Sequence, residues 1–122
     1  NEGIQVQYIL KNESPFPLSG IFATELDLAI TSESEKKPIM AVYTEDIRKE
    51  SPIETSTFED VSWIRFDDPE TGVRFTLDSN ENPTATVIPV SSSLSTKVFL
   101  SWKVELSPNY ETEKMVFLKI SC

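Results

Sequence analysis

Asp78, Asn80 and Asn82 stand at the first, third and fifth places of a would-be Ca²⁺ loop, the spacing at which an EF-hand begins to offer its oxygens. The pattern ends there. Pro83 occupies the place that needs glycine, and Pro89 the place that needs a bidentate glutamate. A second acidic group, Asp67, Asp68 and Glu70, crowds one turn and could hold Ca²⁺ together with backbone carbonyls, although a solvated polar turn accounts for the same residues. Zinc needs imidazoles or thiolates, and the chain has no histidine and one cysteine. No metal ligand set and no cofactor motif is assigned.

The same two counts bear on catalysis. Without histidine the chain lacks the usual base at neutral pH, and no Gly-x-Ser-x-Gly elbow is present. Cys122 ends the chain, where no pocket can be assembled around it. Twenty acidic residues always include pairs, but a glycosidase needs two carboxylates facing across a cleft, about 5 Å apart for retention. Sequence cannot locate such a pair, and no catalytic residue is assigned. Aromatic rings offer a different chemistry, since the C–H faces of sugars stack on them while acids and amides grip the hydroxyls. Four rings are the candidates. Trp102 shares a face with Val98, Leu100, Val104 and Leu106 and reads as core. Trp63 shares a face with Val61 and Arg65 while Ile64 and Phe66 lie opposite, so its side is ambiguous. Tyr43 lies in a short apolar run, and Tyr110 lies in a loop as the best-placed exposed ring. Trp63 and Tyr110 are the candidate ligand contacts. Asn12-Glu13-Ser14 has the form of a glycosylation sequon, followed by Pro15.

These residues must be carried by strands. Apolar residues alternate with period two almost throughout, and no helical period stands out. Strands are predicted at residues 4–10, 22–30, 39–44, 61–66, 73–77, 85–90, 98–106 and 115–120. Residues 12–20 form a loop with two prolines and a glycine, and Ser32 to Pro38 a charged turn. Asp67-Asp68-Pro69-Glu70-Thr71-Gly72 is a hairpin loop. Glu45 to Thr57 is charged and aperiodic, the one place where a helical turn is plausible. Pro89 marks an edge or a bulge. About eight short strands with close turns predict an all-β fold, an antiparallel β-sandwich.

The 122 residues suit a single domain spanning 1–122, large enough to bury roughly two thirds of its unfolded surface. A net charge of −9 argues against nucleic acid and anionic lipid as partners, because phosphate would be repelled. No apolar run approaches the roughly 20 residues of a membrane helix. One cysteine allows no internal disulfide, which fits a reducing compartment. A chain that opens on Asn1 and closes on Cys122 is expected to be a piece of a longer one.

Three stretches resemble the C-terminal β-sandwich of family 57 glycoside hydrolases, the 4-α-glucanotransferase and α-amylase group. They are Ile4 to Leu10 leading to Phe22-Ala23-Thr24-Glu25-Leu26-Asp27-Leu28, then Asp67 to Leu77, then Pro89-Val90 with Leu100-Ser101-Trp102-Lys103-Val104-Glu105-Leu106 and Pro108. The resemblance implies a non-catalytic accessory domain that supports a catalytic barrel or places its substrate. It implies the catalytic domain of the same polypeptide as partner, an α-glucan as ligand, and a cytoplasmic location. That family's nucleophile and acid lie in the barrel, so none carries over. Glu25 would by analogy sit on a strand facing the barrel, the third candidate contact. Two other readings stay open: an immunoglobulin-like or adhesin-type interaction module outside the cell or in a periplasm, and a stand-alone carbohydrate-binding module.

Overall fold

In the computed structural model, which describes residues 2–33 and 35–122, the chain is an antiparallel β-sandwich. Ten strands follow in order: β1 (Glu2–Lys11), β2 (Leu18–Leu28), β3 (Ile39–Thr44), β4 (Ile47–Pro52), β5 (Ser56–Phe58), β6 (Val61–Asp67), β7 (Arg74–Ser79), β8 (Thr84–Val90), β9 (Ser95–Leu106) and β10 (Glu111–Ser121). Six of them form one sheet in the order β1-β10-β7-β6-β3-β4, and four form the other in the order β2-β9-β8-β5. Among the described residues no helix is long and apolar enough to cross a membrane.

The eight expected strands are all present, and two more fill the stretch where a helical turn was expected. Glu45 and Asp46 both take positive φ (52° and 60°), which makes a two-residue hairpin loop whose twist matches the flanking strands and returns the chain as β4. Neither residue is glycine or asparagine, so the usual turn signal is missing. The charges that disguised β4 belong to an edge strand, where Arg48, Lys49 and Glu50 face solvent. Pro89 costs no ladder bond to β5, because β5 pairs only with residues 85–87 of β8. The charged turn over Ser32 to Pro38 includes Ser34, which lies outside the described residues.

The core lies between the sheets and follows from alternation. Met40, Val42, Ile64, Phe66, Leu77 and Val116 point inward from the six-stranded sheet, and Leu28, Ala85, Val87, Val98, Leu100 and Trp102 from the other. Trp102 is thus core, and its indole N–H donates to the Glu81 carbonyl at 2.7 Å. Lys114 is buried beside it with its ammonium 5.9 Å from the Trp102 ring and 2.5 Å from Glu81 Oε2, so the charge is both paired and stacked.

The passage from one sheet to the other is fastened by Asn12, which is fully buried. Its amide Nδ2 donates to the Phe16 carbonyl (2.8 Å) and the Leu106 carbonyl (3.0 Å), and its Oδ1 accepts from Ser14 N–H (2.8 Å). Its backbone N–H donates to the Tyr110 carbonyl, and its carbonyl accepts from Asn109 N–H. The side chain of the apparent sequon is therefore spent on the fold and closed to a glycan. Asn12→Ala removes a donor from the Phe16 and Leu106 carbonyls and the acceptor of the Ser14 N–H, while the Phe16 carbonyl keeps its bond from the Ser14 hydroxyl. We expect a loss of about 1–3 kcal/mol, read as a lower urea midpoint at unchanged slope. A loss within error of zero would show that water replaces the amide.

Candidate functional site

The outward face of the six-stranded sheet gathers the chain's most varied chemistry, and a β-bulge sets it up. Tyr43 pairs with Trp63 and Thr44 with Val61, so Ser62 is the extra residue. Val61 and Ile64 can then both point into the core while Trp63 and Arg65 point out. This settles the side of Trp63, which strict alternation left ambiguous. Cross-strand register next lays three rows over the face: Tyr43, Trp63, Asp78 and Phe117; then Ala41, Arg65, Thr76 and Lys119; then Ile39, Asp67, Arg74 and Ser121.

Within these rows the contacts are specific. Tyr43 and Trp63 stack with centroids 5.9 Å apart and planes at 18°. The Arg65 guanidinium lies 5.6 Å from the Trp63 ring centre. Asp67 joins both arginines, accepting from Arg65 Nε at 3.1 Å and from Arg74 Nε at 2.5 Å. One carboxylate thus fixes two guanidinium planes and leaves further N–H groups of each free to donate. Trp63, Arg65, Arg74, Thr76, Asp78, Lys119 and Ser121 enclose a shallow concavity of about 310 Å³. Three cations and one carboxylate line it, a local excess of positive charge on a chain of net charge −9. Loss of hydration at Asp78 pushes its carboxyl above the usual carboxylate range.

The candidate contacts are not brought together. Trp63 walls the concavity. Glu25 lies on the outward face of the opposite sheet, where Lys97 bridges it (3.2 Å) to Asp27 (3.1 Å). Donating to Asp27 and then to Glu25 holds the Lys97 ammonium above its ordinary range. Tyr110 is 65% exposed at the β9–β10 turn, outside the concavity. The would-be Ca²⁺ ligands diverge. Asp78 faces the concavity, Asn80 donates to the Glu113 carbonyl and accepts from Met115 N–H, and Asn82 donates to Asp60 and Ser62. Asp68 accepts from Glu70 N–H and the Thr71 hydroxyl within its own turn. Among the described residues no group of three or more potential ligands is placed to hold a metal ion. Arg65, Arg74, Asp78 and Lys119 were not foreseen as a group. They come from three strands, and only the register makes them neighbours.

No family model matches the chain, and no curated protein matches it. Solved structures do. The Slr1438 protein of Synechocystis sp. PCC 6803 superposes with a TM-score of 0.78 at 11% identity, over 98% of this chain and 50% of that one. A galactose mutarotase-like protein of Lactobacillus casei ATCC 334 gives 0.70 at 10% identity, over 96% and 58%. A proposed aldose 1-epimerase of Escherichia coli K12 gives 0.65 at 11% identity, over 98% and 56%. The chain therefore has the sandwich fold of these proteins and spans about half their length. These neighbours overturn the family 57 glycoside hydrolase reading and the accessory role that rested on it. The three stretches that suggested it are alternating strands and a hairpin loop, which recur wherever a sandwich buries one face of each sheet.

The Asp78 shift has a sign that can be checked. A carboxyl raised in the folded state adds stability below the unfolded value, and loses it as pH rises through the folded one. Asp78→Asn should therefore raise the urea midpoint at about pH 7, with the advantage gone by about pH 3. A lower midpoint at neutral pH would mean that attraction to the three cations outweighs lost hydration.

Proposed function

We propose that this chain binds a sugar in the concavity on the outward face of its six-stranded sheet. The observation that carries the reading is Trp63, held upright by Tyr43 and Arg65 at the wall of a pocket whose other groups are hydrogen-bonding side chains. A pyranose presents an apolar C–H patch beside a ring of hydroxyls. The Trp63 indole suits the first, while the guanidinium donors of Arg65 and Arg74, the Lys119 ammonium and the Asp78 acceptor suit the second. The arginine planes are fixed in advance by Asp67, which lowers the ordering cost of binding. Further support is that two of the neighbours are described as galactose mutarotase-like and as an aldose 1-epimerase, names that concern sugars.

The proposal is for binding without turnover by this chain alone. Interconverting anomers means removing a proton from one oxygen and delivering one to the ring oxygen, so a base and an acid must flank the sugar. Asp78 can serve as the base. The other polar groups that line the concavity are two guanidiniums, an ammonium and two hydroxyls, which offer hydrogen bonds, with no second carboxyl and no imidazole among them. Adding the chain to freshly dissolved α-D-galactose should leave the rate of optical rotation unchanged. A tenfold acceleration (about 1.4 kcal/mol off the barrier) would make it an enzyme.

Binding itself is read by calorimetry with D-galactose and D-glucose. An open pocket of this size should give saturable heat with a dissociation constant of about 1 mM. Trp63→Ala should weaken it about tenfold, and Arg74→Gln severalfold, with circular dichroism unchanged. Absence of saturable heat for either sugar, or equal binding by Trp63→Ala, would refute the site.

A further inference from the structure

The two pairs of sheet edges are finished differently. On the far side, β4 carries Arg48, Lys49, Glu50 and Pro52, and β5 is three residues long. Charge, proline and shortness are the devices by which exposed edges avoid pairing with other chains. The near edges, β1 and β2, have none of these along most of their length. β1 is ten residues long and uncharged from Gly3 to Leu10, and β2 is eleven long and uncharged from Leu18 to Thr24. Each pairs without a bulge along one side only, β1 with β10 and β2 with β9.

The interior also lies open here. Ile4 and Val6 share the inward face of β1 with Tyr8, which bonds Thr24 across the sandwich, yet they remain 57% and 38% exposed. They line a mostly apolar mouth of about 300 Å³ with Tyr8, Leu26, Leu28, Val116 and Leu118, and Glu25 and Asp27 stand at its rim. Ile9, Phe16, Leu18 and Ile21 add exposed apolar surface on the same strands and the loop between them. Core-facing side chains that see water at a bare edge are the mark of a sheet meant to continue.

We propose that β1 and β2 together form an interface and that its occupant is a second copy of this chain. A partner has to extend both sheets at once, at the separation of β1 from β2. A second copy turned about a two-fold axis perpendicular to the sheets offers the same two edges at that separation, β1 against β1 and β2 against β2, both antiparallel. The uncharged stretches keep like charges off most of the two edges although each chain has a net charge of −9, and the carboxylates of Glu25 and Asp27 on β2 are each paired with Lys97. Two copies would also come to about the length of the neighbours, of which one copy covers 50–58%.

The test is sedimentation of the 122-residue chain in reductant, so that Cys122 cannot link copies, from about 1 to about 200 µM. We expect twice the single-chain mass of 13.8 kDa at the upper end. The double substitution Ile4→Lys with Ile21→Lys changes two exposed positions and should halve that mass while leaving circular dichroism unchanged. Should the variant misfold, amide exchange on the unaltered chain decides instead, with β1 and β2 becoming protected as concentration rises while β4 does not. A chain monomeric at every concentration overturns the proposal, as does a dimer that survives the double substitution or protects a different surface.

Discussion

Asn12 is where the sandwich is closed. The chain leaves one sheet at Lys11 and enters the other at Leu18, and the backbone groups of that crossing have no ladder to join. A buried amide supplies partners, holding Phe16 and Leu106 through its two N–H groups and Ser14 through its oxygen, and the Ser14 hydroxyl adds its own bonds to the Phe16 carbonyl and N–H. The main chain of the same residue ties the β9–β10 turn through Asn109 and Tyr110. The β1–β2 and β9–β10 connections are thereby tied together at one point. The Tyr8 to Thr24 hydrogen bond at 2.8 Å and the edge-to-face contact of Tyr8 with Phe22 continue the closure inward. At the other end of β2, buried Thr96 donates to the Ile30 carbonyl and plays a comparable part.

With the sheets held in this way, their two outward faces acquire different characters. On the four-stranded sheet, Lys97 is balanced by Glu25 and Asp27, and the surface is a solvated ion-pair lattice. On the six-stranded sheet, the bulge at Ser62 turns Trp63 outward, and cross-strand register sets it among Arg65, Arg74 and Lys119. The net charge of −9 thus conceals a local reversal of sign. A repulsive average field is compatible with a pocket that offers donors, because screening confines each charge to about 10 Å.

Much of this was legible in the sequence, for identifiable reasons. Strict alternation predicted the eight long strands and the burial of Trp102, because one buried face imposes a period of two. The turn at Glu45 and Asp46 was hidden because positive φ is taken there without glycine or asparagine, and the charges of β4 looked like a loop. Trp63 was ambiguous because a bulge breaks the parity on which such readings depend. Asn12 looked like a sequon because its role depends on Leu106, a residue 94 positions away. The concavity was invisible for the same reason: Arg65, Asp78 and Lys119 have no common spacing, and their proximity is a property of strand order. The family 57 motifs failed from the opposite cause, since they record alternation, which many sandwiches share.

The proposed sugar site lies on the outward face of the six-stranded sheet. Titrating ¹⁵N-labelled chain with D-galactose and following amide and indole resonances locates binding residue by residue. Saturable shifts should centre on the Trp63 indole N–H and on Arg65, Asp78 and Lys119, and leave Glu25 and Tyr110 still. Shifts centred on Glu25 or on the Tyr110 turn, or none at any sugar concentration, would contradict it.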